Sequence, residues 1–249
     1  MCFNGKNILI LDSTDSTNNY AMALIRKGDA ISGNAIMAME QISGKGRRGK
    51  EWKSNKGANL MISIVAKMEW LAVSRQFPLS VAVALGCRDL VAHYILANVF
   101  IKWPNDIFIN DRKAGGILIE NVLKGTLWQW SVIGIGININ QVVFEEFNLK
   151  ATSLKMNTGN NYDVSKLAGE IVSVVQKRIE QLKAGEFESM LEEYNQHLFG
   201  RNRMVRLKKE NIVFETKILG VSAVGQLITK SALEKRFDFD GVEFKGLVS

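Results

Sequence analysis

The chain has little of what builds a disulfide scaffold or a metalloprotein: its 249 residues include two cysteines and two histidines. Cys2 and Cys87 stand far from each other and from His93 and His197, so neither a disulfide framework nor a metal-ligand spacing is present, and no metal site is expected. Cys87 reads as a core residue. No basic-then-apolar leader opens the chain, and no apolar run approaches the roughly twenty residues that a membrane span requires. These absences predict a cytoplasmic protein without a membrane partner. Repeats and low-complexity tracts are missing too, and no Ser–His or Cys–His arrangement marks a nucleophile.

What is there suits a compact enzyme. A hydrophobic content of 47% over 249 residues can bury one substantial core and a small second one, which limits the chain to two domains. Lys and Arg number 32 against 25 Asp and Glu, a net charge of +7 that fits nucleic acid and acidic partners equally well. The basic clusters, Lys45 to Lys53 and Arg201 to Lys209, carry no recognition-helix pattern and no interleaved aromatics. A specific nucleic-acid partner is therefore not expected.

Hydrophobic periodicity predicts strands at Ile8 to Leu11, Ala35 to Met39, Asn59 to Ala66, Val99 to Trp103, Gly116 to Val122 and Leu127 to Ile139. Helices are predicted from Asn18 to Lys27, with Ser16 or Thr17 as cap and Gly28 as stop, and from Phe77 to Leu96. Leu167, Ile171, Val174, Val175, Ile179 and Leu182 recur at helical spacing, and a shorter helix carries Phe187 to Leu198. The expectation is an α+β fold, a mixed β-sheet covered by helices over residues 1–199. After Gly200 the pattern shifts to short alternating strands, at Met204 to Leu207, Val213 to Leu219, Gln226 to Thr229 and Phe237 to Phe239. This predicts a second domain over residues 200–249, a small closed β-barrel.

Three segments carry chemistry. Met39 to Trp52 reads MEQISGKGRRGKEW, in which glycines free the backbone to turn N–H groups toward an anion while Lys45, Arg47 and Arg48 bring cationic donors to the same point. In Ile101 to Ile109 apolar residues flank Lys102-Trp103-Pro104-Asn105-Asp106, which reads as a strand, a break at Pro104 and a second strand, with Lys102, Asn105 and Asp106 emerging at a sheet end. Trp103 reads as core. Asn110 to Lys113 then has hairpin-turn composition, and Ala114-Gly115-Gly116 permits close backbone approach, delivering Lys113 beside whatever the glycines touch. Together they predict chemistry on a phosphate.

These residues resemble the biotin protein ligases. The likeness is carried, in order, by Asp15-Ser16-Thr17-Asn18, Gln41 with Gly44 to Gly49, Trp52, Gly57-Ala58-Asn59-Leu60, KWPND at 102–106, RKAGGILIE at 112–120, Gly134-Ile135-Gly136-Ile137-Asn138 and Ala151-Thr152-Ser153-Leu154. A second Asp-Ser-Thr lies at Asp12; the copy at Asp15 is preferred because Asn18 and Ala21 complete the pattern. The family's loop usually reads GRGRRG, whereas Lys45 stands here at the first arginine, keeping the charge but losing the planar bidentate fork.

The resemblance implies a catalytic domain of the class II aminoacyl-tRNA-synthetase type followed by a Src-homology-3-like barrel. It also implies ATP-dependent conversion of biotin to biotinyl-adenylate and transfer to a lysine of a biotin carboxyl carrier protein or domain. With a strand at Ile8, the expectation is the short kind without an N-terminal DNA-binding domain, possible as a homodimer. The implied biotin residues are Ser16, Thr17, Asn18, Gln41, Gly44, Lys45, Lys113 and Gly115. Those implied for ATP are Gly46, Arg47, Arg48, Trp52, Lys102, Asn105 and Asn138, with Mg²⁺ bridging the phosphates. Lys113, Arg47 and Asp106 are the catalytic set: Lys113 stabilises charge on the transferring phosphate, and Asp106 pairs with Arg47 to keep the loop closed. Two alternatives stand beside this, a lipoate or other acyl ligase of the same fold, and a non-catalytic module holding phosphate or RNA.

Overall fold

The computed structural model describes residues 8–144 and 151–248, so Cys2 lies outside the described residues. The first part of the chain supplies β1 (Ile8–Leu11), α1 (Thr17–Lys27), β2 (Ala35–Ala38), β3 (Leu60–Lys67), α2 (Gln76–Tyr94), β4 (Val99–Lys102), β5 (Asp106–Ile109), β6 (Arg112–Lys124) and β7 (Leu127–Ile137). Three helices follow, α3 (Leu154–Thr158), α4 (Val164–Lys183) and α5 (Phe187–Gln196). Five short strands close the chain: β8 (Met204–Lys209), β9 (Ile212–Val221), β10 (Leu227–Lys230), β11 (Glu234–Phe237) and β12 (Glu243–Leu247).

The first seven strands form one sheet in the order β1-β2-β3-β7-β6-β5-β4. Only β1 and β2 pair in parallel; every other pairing is antiparallel, so the sheet is mixed as expected. Helix α2 is apolar around most of its circumference and is accordingly buried, with residues such as Leu79, Val83 and Cys87 inaccessible. Amphipathic α4 covers it, and Gly86 makes the approach possible: a Cβ there would lie 3.1 Å from Val175 Cα. The last five strands form an all-antiparallel sheet, β11-β10-β9-β8-β12, consistent with a Src-homology-3-like domain. Its Val205, Leu207, Ile218, Leu227 and Phe237 join the same buried cluster as the large sheet.

Several local expectations change. The hairpin turn is confined to Asn110-Asp111, because Asn110 takes φ 53° and turns the chain in two residues, so Lys113 and the following glycines are already in β6. Helix α1 starts at Thr17, but Ser16 at its N-cap makes no side-chain capping bond. The strand expected at Phe237 to Phe239 is displaced, because β11 ends at Phe237 and Phe239 lies in the turn after it. Besides short 3-10 turns at Arg47–Gly49 and Val73–Arg75, one helix and one strand were not anticipated. Helix α3, capped by Ser153 accepting from Met156 N–H, is only five residues long, and β12 reads EFKGL, whose charges and glycine hide the alternation of a strand.

Candidate functional site

A cavity of about 490 Å³ opens between the large sheet, the basic loop and the C-terminal sheet. Its floor is a row of glycines on paired strands, Gly116 of β6 opposite Gly136 of β7, with Leu118 opposite Gly134 one step along. Missing side chains let other groups lie on the sheet. Asn18 sits against Gly134, and the Trp52 indole sits on Gly136, where a Cβ would come within 2.6 Å of the ring. The row therefore separates two ends of the cavity.

At the Gly134 end, helix α1 presents Ser16, Thr17 and Asn18, all buried in the cavity wall. The first Asp-Ser-Thr copy is elsewhere: Asp12 is exposed and pairs with Lys56 at 2.6 Å. Gln41 Oε1 accepts from the Thr17 backbone N–H at 2.7 Å and from Thr17 Oγ1 at 3.0 Å. Ser63 Oγ contacts Thr17 Oγ1 at 2.7 Å and Asn18 Oδ1 at 2.6 Å, and Asn18 Nδ2 donates to Glu120 Oε2 at 2.6 Å. Glu120 also lies 3.8 Å from Lys45 Nζ. Ser63 and Glu120 were not singled out from the sequence, though Glu120 closes the RKAGGILIE motif. The cost of an unpaired buried polar group explains why this end is so fully connected.

At the Gly136 end, Asp106 is the hub. Its Oδ1 pairs with Lys113 Nζ at 2.7 Å and its Oδ2 lies 3.7 Å from Lys102 Nζ. Lys102 is almost wholly buried between the faces of Phe108 and Phe244, and that burial pushes its ammonium below the ordinary range while Asp106 opposes the shift. Lys113 also stands 5.8 Å from the Trp52 ring centre. Asn105 donates to Ile117 O at 2.9 Å and accepts from Arg47 at 3.5 Å, which fixes the Pro104 hairpin against β6.

The expected Arg47–Asp106 pair is not made. Two lysines occupy that carboxylate, and Arg47 instead reaches Asp240 Oδ1 at 3.3 Å with its guanidinium 5.7 Å from the Phe239 ring centre. Three other expected residues do not line the cavity. Asn138 is buried with Nδ2 donating to Thr152 O at 3.0 Å, tying β7 to the segment before α3. Gly115 packs on Gly136 O at 2.9 Å from its would-be Cβ, and Gly44 abuts the Trp52 carbonyl; both give close backbone contact inside the scaffold. The remaining expected residues, from Ser16 to Lys113, do line it.

The C-terminal sheet adds a wall that local pattern did not reveal: Phe239, Glu243, Phe244 and Lys245. The lining holds seven cations (Lys45, Arg47, Arg48, Lys50, Lys102, Lys113, Lys245) against three carboxylates (Glu51, Asp106, Glu243). Such a surplus focuses a positive field and favours a polyanion. The Trp52 Nε1 donor is buried with no partner, a group that an acceptor on a bound molecule would satisfy. No group of three His, Cys, Asp or Glu among the described residues is placed to hold a metal ion. No helix among them is long and apolar enough to cross a membrane.

Comparison with known proteins places this cavity in context. Residues 10–138 match the model of the Biotin/lipoate A/B protein ligase family. The chain is 31% identical over 219 residues to the bifunctional ligase/repressor BirA of Escherichia coli K12, covering 88% of this chain and 66% of that protein. It is 38% identical over 133 residues to the biotin–[acetyl-CoA-carboxylase] ligase of Paracoccus denitrificans, covering 52% of this chain and 53% of that one. The fold is also that of a biotin protein ligase from Aquifex aeolicus solved with biotin and ATP, with a TM-score of 0.82, 23% identity and coverage of 97% and 99% of the two chains.

Proposed function

Because the chain belongs to the Biotin/lipoate A/B protein ligase family, we propose that it activates biotin with ATP and transfers it to a lysine of a biotin carboxyl carrier protein or domain. The observation that carries this reading is the two-ended cavity, with Lys113 and Trp52 seated on the glycine row between a polar end, whose one cation Lys45 is paired with Glu120, and a strongly cationic one. A neutral polar ring suits Ser16, Thr17, Asn18 and Gln41, and a triphosphate suits Arg47, Lys102 and their neighbours.

A carboxylate is a poor acyl donor, so the acid must first become a mixed anhydride. Its oxygen forms a bond to the α-phosphorus of ATP while the bond from that phosphorus to pyrophosphate breaks. Two anions must be brought together for this, and Lys113, Arg47 and the loop amides screen their repulsion and stabilise the developing charge. In the second step a carrier lysine nitrogen bonds to the acyl carbon, the carbon–oxygen bond to AMP breaks and the amine loses a proton. Asp106 holds Lys113 and Lys102 in place. Mg²⁺ would enter with the nucleotide as part of the substrate and would supply further neutralisation of phosphate charge beside Arg47, Lys102 and Lys113.

The test is pyrophosphate release from ATP with biotin, with lipoate in parallel, and the mass of the acyl-adenylate. Biotin-dependent release with a biotinyl-adenylate mass is expected. Release with lipoate alone would make the chain a lipoate ligase, and release with neither acid would leave a phosphate-holding module.

A further inference from the structure

Ser63 and Glu120 stand behind the Gly134 end of the cavity, outside its lining, yet both reach residues that form it. Ser63 is inaccessible in β3, and the Glu120 side chain is 31% exposed in β6. Between them lies Asn18, whose Oδ1 rests over Gly134, where a Cβ would collide with it.

The direction of the hydrogen bonds here follows from groups that have only one role. Gln41 Oε1 receives the Thr17 backbone N–H at 2.7 Å, and a backbone N–H only donates, so the Gln41 amide oxygen faces Thr17. Asn18 Nδ2 lies 2.6 Å from Glu120 Oε2 and 3.4 Å from Leu118 O. A carboxylate and a carbonyl only accept, so the Asn18 amide oxygen is turned away from them, toward Ser63, and the carboxylate strengthens that choice because its bond is charge-assisted. Two amide oxygens thus end a row formed by Asn18 Oδ1, Ser63 Oγ, Thr17 Oγ1 and Gln41 Oε1, with separations of 2.6, 2.7 and 3.0 Å.

Taken singly, each separation is a hydrogen bond. Taken together they ask for three protons, and the two hydroxyls hold two. The contact left without a proton is an oxygen–oxygen repulsion, which is least at the largest separation, and Gln41 Oε1 already has the Thr17 N–H. Ser63 therefore donates to Asn18 and Thr17 donates to Ser63, while lone pairs of Thr17 Oγ1 and Gln41 Oε1 face each other at the cavity wall. A donor on a bound molecule satisfies both.

Building on the ligase reading, we propose that Glu120 and Ser63 are positioning residues that set the polarity of this end. They hold Thr17 Oγ1 as an acceptor, so the site selects a ring that presents an N–H, as the cyclic urea of biotin does and the cyclic disulfide of lipoate does not. Without Glu120 the Asn18 amide is free to turn, the row can run the other way, and Thr17 keeps its proton for Gln41.

Calorimetric titration of the full-length chain with biotin, without ATP, reads the acceptor. Ser63→Ala and Glu120→Met should each raise Kd for biotin roughly five- to fifty-fold, the range for a buried polar group left unmatched, and the double variant no more than the weaker single one. Glu120→Gln, whose amide oxygen still accepts from Asn18, should stay within about threefold of the original. In pyrophosphate release all three should raise KM for biotin with kcat little changed. Two biotin analogues, each with a ring oxygen in place of one N–H, separate polarity from general loosening: for the one lacking the N–H that meets Thr17, Ser63→Ala and the original chain should bind alike. An unchanged biotin Kd in Ser63→Ala overturns the proposal. So does a Glu120→Gln as weak as Glu120→Met, or an equal loss for biotin and both analogues. If the original chain binds no biotin, the ligase reading falls and melting still decides the relay. Ser63→Ala and Glu120→Met should each lower Tm by roughly 2–12 °C, and the double variant by clearly less than their sum, because without the carboxylate the Asn18 oxygen can turn toward solvent. Additive losses would overturn the relay.

Discussion

Alanine at Gly136 tests whether the glycine row divides the cavity into two functional ends. The new Cβ would lie 2.6 Å from Cε2, 2.7 Å from Cζ2 and 3.0 Å from Cδ2 of Trp52. Carbon atoms rest at roughly 3.5–4.0 Å, so the rigid indole must retreat by about 1 Å. Overpacking of this kind costs ~1–3 kcal/mol, of which alanine recovers ~0.5–1 kcal/mol through its better backbone entropy in a strand. For a chain of this length the balance, ~0–2.5 kcal/mol, lowers Tm by at most about 10 °C, which leaves the protein folded for assay. A displacement of ~1 Å at a reacting centre can cost about a hundredfold in rate. The loss should fall on ATP: in biotin-dependent pyrophosphate release, Gly136→Ala should raise KM for ATP or depress kcat while KM for biotin stays close to its original value. Gly134→Ala is the internal control, because its Cβ would run into the Asn18 amide at the other end and should act on biotin instead. Equal effects of both variants on both substrates would refute the division. A lowered Tm with unaltered kinetics in Gly136→Ala would show that Trp52 is only packing.

Lys113→Ala should lower the same pyrophosphate release by about 10²–10³-fold, the usual loss for one donor at a developing charge, yet melt nearly as before because Asp106 keeps Lys102 as a partner; a near-original rate would remove Lys113 from the reaction. Arg47→Gly takes away the Asn105, Phe239 and Asp240 contacts of the loop together with one charge beside the reacting phosphate, so it should form adenylate more slowly than the original chain yet release what it forms, labelling lysines of an added bystander protein. Adenylate formed without such labelling would place containment elsewhere. Burial, with Arg88 adding to it, holds the His197 imidazole below its ordinary 6.5, so below that pH the unfolded chain binds more protons than the native one. Stability present above pH 6.5 should therefore decline as pH falls toward the native value, and His197→Gln should flatten that part of the denaturation profile; an unchanged slope would assign it to other groups.

Much of this protein could be read from the chain because the signals were local. Alternating and continuous apolar runs marked the sheet strands, and an apolar stretch longer than any strand marked α2, since burial imposes those periods directly on sequence. Lys113, the basic loop and the Pro104 hairpin were visible as a local group for a similar reason: each is a short segment whose glycines, charges and turn residues have a chemical reason to be adjacent. Partnership was not visible. Asp106 chose Lys113 and Lys102 over Arg47 because β4–β5 pairing sets Lys102 directly opposite it, while the β5–β6 register, which depends on a two-residue turn at Asn110, brings Lys113 onto the same face. Asn138 went to the scaffold because β7 pairing directs it at Thr152. Asp240 lies 192 residues from Arg48, and nothing in DFDGVEF announces that its carboxylate meets the loop. Which residues can do chemistry was set by composition and local spacing; which of them face one another was decided by the packing of two sheets, because only closure of the core brings distant charges within reach.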